Sequence, residues 1–131
     1  IYNIMTDLEK EMAWNRITSE CFPSEFLESA PQEIKSDKYY VMRAIERDWD
    51  NFFYADEKFR DDKEVVMLAL MMNWENIEFV SERLKEDKEI ILEVVKTYWW
   101  WDYMPQKYLK DEEIKKAIEK TKKRRKEINS L

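Results

Sequence analysis

FRDDKEVVMLALMMNWENIEFVSER, running from Phe59 to Arg83, decides how this chain is read, because it recurs on both sides of itself. Residues 34–58 read IKSDKYYVMRAIERDWDNFFYADEK and residues 84–108 read LKEDKEIILEVVKTYWWWDYMPQKY, each displaced by 25 positions. An apolar opener stands at Ile34, Phe59, Leu84 and Leu109, an aspartate at Asp37, Asp62 and Asp87, and a tryptophan at Trp49, Trp74 and Trp99. Agreement in so many columns at one fixed interval is the signature of tandem repeats.

Within the central unit, Asp61 stands three residues before Glu64, which predicts a reciprocal capping box at the start of a helix. That helix runs to about Met72, and its apolar residues Val65, Val66, Leu68, Ala69, Leu70 and Met72 occupy more than one face, as in a helix buried between neighbours. A second, shorter helix is predicted from Trp74, Ile77, Val80 and Leu84, with Glu75, Glu78 and Glu82 turned to water. The same stripe recurs as Trp49, Phe52, Ala55 and Phe59, and the three tryptophans of this column are expected in one shared interior.

Two short helices cannot bury their apolar faces alone, but stacked copies can. The predicted fold is therefore all-α, a short α-solenoid of stacked two-helix repeats with a 25-residue period, forming a single domain. Its expected parts are a divergent unit over 4–33, repeats over 34–58, 59–83 and 84–108, and a C-terminal capping helix with a basic tail over 109–131. In the divergent unit Thr6 and Glu9 repeat the cap, Leu8, Met12 and Ile17 line one side of a helix, and Pro23 and Pro31 bracket a short helix through Phe26 and Leu27. Asp102 and Pro105 interrupt the stripe of the 84–108 unit, so its second helix is expected to be shorter or bent. The last helix keeps Ile114, Ala117 and Ile118 and then turns polar, giving the wet outer face that a terminal repeat requires.

Composition agrees. The chain has 131 residues, 44% hydrophobic and 40% charged, with no glycine and three prolines, so hairpin turns needing positive φ have no inexpensive residue to use. The apolar run Val65 to Met72 is far short of the roughly 20 residues that span a bilayer. No signal-peptide pattern opens the chain, and Ile1 in place of methionine leaves room for sequence upstream. Cys21 is alone, which excludes an internal disulfide and fits a reducing, cytoplasmic setting. Histidine is absent, removing the commonest general base and metal ligand.

The cadence of apolar opener, Asp, E-V-V-x-x-A-[LIV] and a second run ending in an aromatic and a small residue resembles the bacterial and viral helical repeats catalogued as domain of unknown function 4116. The matching residues are Phe59, Asp62, Glu64, Val65, Val66, Ala69, Leu70, Ile77, Phe79 and Val80, with the same columns at Ile34, Asp37, Val41, Ala44, Ile45, Phe52, Tyr54 and Ala55. The resemblance implies an all-helical repeat and brings no catalytic residue with it. One departure stands out: the family usually places glycine between the two helices, where this chain has Trp49, Trp74 and Trp99.

Function is read from three features. Tyr98-Trp99-Trp100-Trp101-Asp102-Tyr103 is too aromatic for a helix to bury whole, so Trp100, Trp101 and Tyr103 are candidate partner contacts, the alternative being a widened core. Lys122, Lys123, Arg124 and Arg125 could hold phosphate, an anionic surface or an acidic partner, or could simply complement a helix C-terminus and an acidic body. From Lys115 to Leu131 eight basic residues face two acidic ones, so the tail carries +6 and the remaining body −12 against a whole-chain charge of −6. That body disfavours nucleic acid as a partner. It either solvates helix faces or imitates a polyanion. Aspartates in the repeat columns are explained by capping. The expectation is a non-enzymatic helical-repeat module, an adaptor or scaffold that binds another protein, with no catalytic residues, cofactor or metal. The alternative is an acidic inhibitor, immunity protein or nucleic-acid mimic that blocks a basic site on a partner.

Overall fold

The structure, a computed structural model, describes residues 4–97 and 104–131, and among the described residues every regular element is helical. The long helices are α1 (Asp7–Glu20), α3 (Lys38–Arg47), α5 (Lys63–Met72), α7 (Lys88–Thr97) and α9 (Glu112–Asn129). Single-turn helices α2 (Gln32–Lys35), α4 (Asn51–Tyr54), α6 (Glu82–Lys85) and α8 (Gln106–Leu109) fill the connections, with 3-10 segments at Pro23–Glu25, Glu57–Asp61 and Trp74–Phe79. α3 packs on α5, α5 on α7 and α7 on α9.

The same four positions are buried in each central helix: Tyr40, Val41, Ala44 and Ile45 in α3, Val65, Val66, Ala69 and Leu70 in α5, and Ile90, Ile91, Val94 and Val95 in α7. Two adjacent residues followed one turn later by two more make a stripe broad enough to meet a helix on each flank. α9 keeps half of it. Ile114 and Ile118 are buried, but Lys115 and Glu119 beside them are exposed, so α9 covers α7 and offers charge on its other flank.

Polar links recur with the apolar ones. Lys38 Nζ reaches Asp62 at 3.1 Å and Glu64 at 2.7 Å, Lys63 Nζ reaches Asp87 at 3.1 Å and Glu89 at 2.6 Å, and Lys88 Nζ reaches Asp111 at 3.1 Å and Glu113 at 2.6 Å. Each lysine opens one long helix and joins the aspartate that caps the next. Lys10 meets Asp37 at 3.0 Å at the other end of the series.

Several expectations are corrected. The cap of α5 is Asp62, whose carboxylate accepts the Glu64 and Val65 N–H groups, and not Asp61. Asp61 belongs to the preceding 3-10 turn and is held by Ser81 Oγ at 2.6 Å and Arg83 Nε at 3.0 Å. The Thr6 and Glu9 capping box forms as read. The predicted second helix is broken: after Trp74–Phe79 the chain is extended at Val80 before α6 begins, and the same break falls at Ala55. Cross-links between units account for the break, since Asp56 N–H donates to Lys35 O at 3.0 Å and Ser81 N–H to Arg60 O at 2.8 Å. The equivalent carbonyl of Lys85 accepts from Tyr108 Oη at 2.9 Å.

That last substitution marks a change of register. Tyr108, not Leu109, occupies the buried column of Ile34, Phe59 and Leu84, and Asp111 follows it by three residues as Asp37, Asp62 and Asp87 follow theirs. The interval is thus one residue shorter at the C-terminal end. In α1 the buried residues are Trp14 and Ile17, with Trp14 against Phe26 and Tyr40, each with ring centroids 5.6 Å away. Leu8 and Met12 are 70% and 62% exposed, because the face carrying Trp14 is the one turned to the core. Phe26 and Leu27 are buried as expected, but in a turn after the 3-10 segment and not in a helix.

Of the three indoles expected in one interior, Trp74 takes a core position and Trp49 is only partly buried. Trp74 meets the Tyr108 ring edge-on at 5.7 Å, and Trp99 lies outside the described residues.

Candidate functional site

At the ends of α3 and α5 the chain turns on a short polar side chain. Asp48 and Asn73 are extended at φ −157° and −158°, and their side-chain oxygens accept the Asp50 and Glu75 N–H groups at 3.0 and 2.9 Å. No described residue has a positive φ, which is why tryptophan can follow this corner without glycine.

Three residues beyond each corner stands an asparagine, and Asn51 and Asn76 are the buried polar residues of the described core. Asn51 is fully engaged. Its Nδ2 donates to Pro23 O at 2.7 Å and to Ala44 O and Asp48 O at 3.0 Å, and its Oδ1 accepts Leu27 N–H at 3.0 Å. It closes its own corner and fastens the preceding segment. Asn76 Nδ2 repeats part of this, donating to Ala69 O at 3.0 Å and Trp49 O at 3.5 Å, but its buried Oδ1 accepts nothing from the described residues. A buried acceptor left without a donor costs about 1–3 kcal/mol, so this atom is a point of unsatisfied polarity beneath the short segments.

Asn76 lines a half-open groove of about 570 Å³ that crosses three successive short segments. Ser24, Glu25 and Glu28 come from the first, Trp49, Asp50, Phe53 and Tyr54 from the second, and Glu75, Glu78 and Phe79 from the third. Phe53 packs edge-on against Tyr54 at 5.1 Å and against Phe79 at 5.0 Å, yet remains 46% exposed. Five carboxylates share the wall, and none of the lining residues is basic. Burial first, and the neighbouring Asp48 carboxylate second, push the Asp50 carboxyl above its ordinary range. Arg60 stands beside the groove with its guanidinium carbon 6.0 Å from both the Phe53 and Phe79 rings. The arrangement suits a ligand that is cationic and partly apolar: rings supply faces for stacking and cation–π contact, and carboxylates supply charge.

Two overlapping stretches, residues 37–85 and 62–110, match the family model described as Domain of unknown function (DUF4116). The chain belongs to that family. The two matches are offset by the same interval that separates Asp37 from Asp62, consistent with a repeated helical unit. No curated protein and no solved structure matches the chain. The DUF4116 stretch contains the second and third segments that line the groove, while Ser24, Glu25 and Glu28 precede it.

Sequence reading placed the DUF4116 chain's contacts elsewhere. Trp100, Trp101 and Tyr103 lie outside the described residues. Lys122, Lys123, Arg124 and Arg125 are exposed in the C-terminal half of α9 and are not among the residues of the groove. The groove itself was missed, although a signal existed: Glu25, Asp50 and Glu75 are a column of carboxylates at the repeat interval. Among the described residues no group of histidine, cysteine, aspartate and glutamate side chains has the arrangement of a metal site, and no helix is long and apolar enough to cross a membrane.

Proposed function

We propose that this chain is a non-enzymatic helical-repeat module, an adaptor or scaffold, that binds another protein through the groove between its short segments. The long helices are read as the spine of a short α-solenoid with a period near 25 residues, supported by the recurring buried positions and lysine–aspartate links. The observation that carries the reading is the groove wall: Trp49, Phe53, Tyr54 and Phe79 held together with five carboxylates across three consecutive units. Aromatic side chains held in a fixed hollow are the usual anchors of a protein contact. The single Cys21 supports a reducing, cytoplasmic setting for it. Trp100, Trp101 and Tyr103 remain a second candidate contact, as does the basic run from Lys122 to Arg125.

The experiment is affinity capture from host extract with the chain and with Trp49→Ala/Phe53→Ala, helicity being followed by circular dichroism. The reading expects loss of captured partner with helicity retained. Retained capture by the double variant overturns it.

A second reading is favoured by the carboxylate column Glu25, Asp50 and Glu75: an acidic inhibitor or polyanion mimic that covers a basic site on its partner. It expects binding to weaken steeply from about 50 mM to about 500 mM salt, whereas aromatic anchoring changes little.

A further inference from the structure

The groove lining is periodic. Glu25, Asp50 and Glu75 hold one column, and Glu28, Phe53 and Glu78 hold the next, one residue per unit in each. Packed helices lie about 8–10 Å apart, so successive units offer their carboxylates at roughly that interval. A polyproline II chain advances about 3.1 Å per residue and returns to the same face every third residue, which makes about 9 Å per turn. One unit of the protein therefore matches one turn of such a ligand.

Resting on the protein-binding reading above, we infer that the groove receives an extended segment of a partner protein with arginine or lysine at every third position, these cations meeting Glu25, Asp50 and Glu75. Two further observations point the same way. Asn51 Oδ1 is filled by a backbone N–H, that of Leu27, and the equivalent buried Oδ1 of Asn76 has no donor among the described residues. A polyproline II segment has no internal hydrogen bonds, so its N–H groups arrive unpaired at a groove whose floor holds that unpaired acceptor. Phe53 and Phe79 already hold the Arg60 guanidinium at 6.0 Å on their flank, showing that these rings accept a guanidinium. Nucleic acid is repelled by the same five carboxylates.

The test is selection of random displayed peptides on the intact chain, followed by affinity measurement of the selected peptides against the chain, Phe53→Ala and the triple variant E25Q/D50N/E75Q. The expected consensus is basic at three-residue intervals, with binding about tenfold weaker in the triple variant. Moving the cations to two- or four-residue intervals weakens it by about fivefold. If the triple variant loses helicity, E75Q alone, at an exposed position, gives the same sign with a smaller change. Selected peptides that need Phe53 but are neutral, acidic or indifferent to spacing overturn this inference and leave the binding function standing. Peptides indifferent to Phe53 overturn both. A synthetic peptide of residues 115–131 is run alongside. Tighter binding of that peptide than of any selected one makes a second copy the occupant and overturns the inference.

Discussion

α3, α5 and α7 present the same four buried positions and the same lysine to the same aspartate, whereas the segments that follow α3 and α5 differ from each other. After α3 comes a turn of α-helix with Trp49 partly buried and Asn51 fully bonded. After α5 comes a 3-10 segment with Trp74 buried and Asn76 left with an idle oxygen. A layer that must stack on copies of itself is held to one pattern by packing on both flanks. A layer with one face to solvent is free to vary, and it is the layer that encloses the groove.

The contrast can be broken most forcefully in the spine. Leu70→Ala, at a fully buried site, is expected to cost about 2–5 kcal/mol by urea denaturation. Phe53→Ala, by comparison, should shift the midpoint little, because that ring is half in water. The two asparagines sharpen the comparison. Asn51→Ala strands the Leu27 N–H and takes one donor from three carbonyls that keep their backbone partners, and should cost about 3 kcal/mol, while Asn76→Ala also removes an unpartnered oxygen and should cost about 1 kcal/mol. Equal losses would mean that Asn76 is as well satisfied as Asn51. A smaller effect is expected from Asp62→Ala, about 1 kcal/mol for a lost cap, where Asp61→Ala should lie near zero.

The lysine links set the pH response. Desolvation lifts the Asp62 and Asp87 carboxyls, but bonds from backbone N–H groups and from Lys38 and Lys63 outweigh it and hold both below the ordinary range. Lys88 does the same at Asp111. A depressed folded-state pKa stabilises the fold above the unfolded value near ~3.9, and that stability is lost as pH falls through the folded value. Lys38, Lys63 and Lys88 are raised by Glu64, Glu89 and Glu113 first and by the aspartates next. Their contribution is complete below about pH 10.4 and disappears as pH rises through the raised values. Thermal melts across pH should show a broad plateau with losses on both sides, and Lys63→Ala should shallow both edges.

The all-helical character and the long central helix were legible because buried columns recur at a fixed interval, and Val65, Val66, Ala69 and Leu70 were among the apolar residues read as buried. Sequence reading misplaced what depends on contacts between units. Asp61 and Asp62 are adjacent aspartates; Asp62 shares the repeat column of Asp37 and Asp87, and the positions of Ser81 and Arg83 show what occupies Asp61 instead. Tyr108 and Leu109 are adjacent apolar residues, and the choice is made by the Lys85 carbonyl that Tyr108 reaches. The break at Val80 is invisible in hydropathy, since Trp74, Ile77, Val80 and Leu84 fit one helix on paper. The groove was hidden for the same reason: its carboxylates looked like ordinary solvated faces until the segments carrying them were placed side by side.

Amide hydrogen exchange of the intact chain, with and without a peptide bearing arginine at every third position, tests the division of labour most directly. Protection that rises over 23–28, 49–54 and 75–79, and is unchanged over α1 and the C-terminal half of α9, is the predicted result. Protection that appears on α1 or α9 and leaves the groove segments untouched would contradict it.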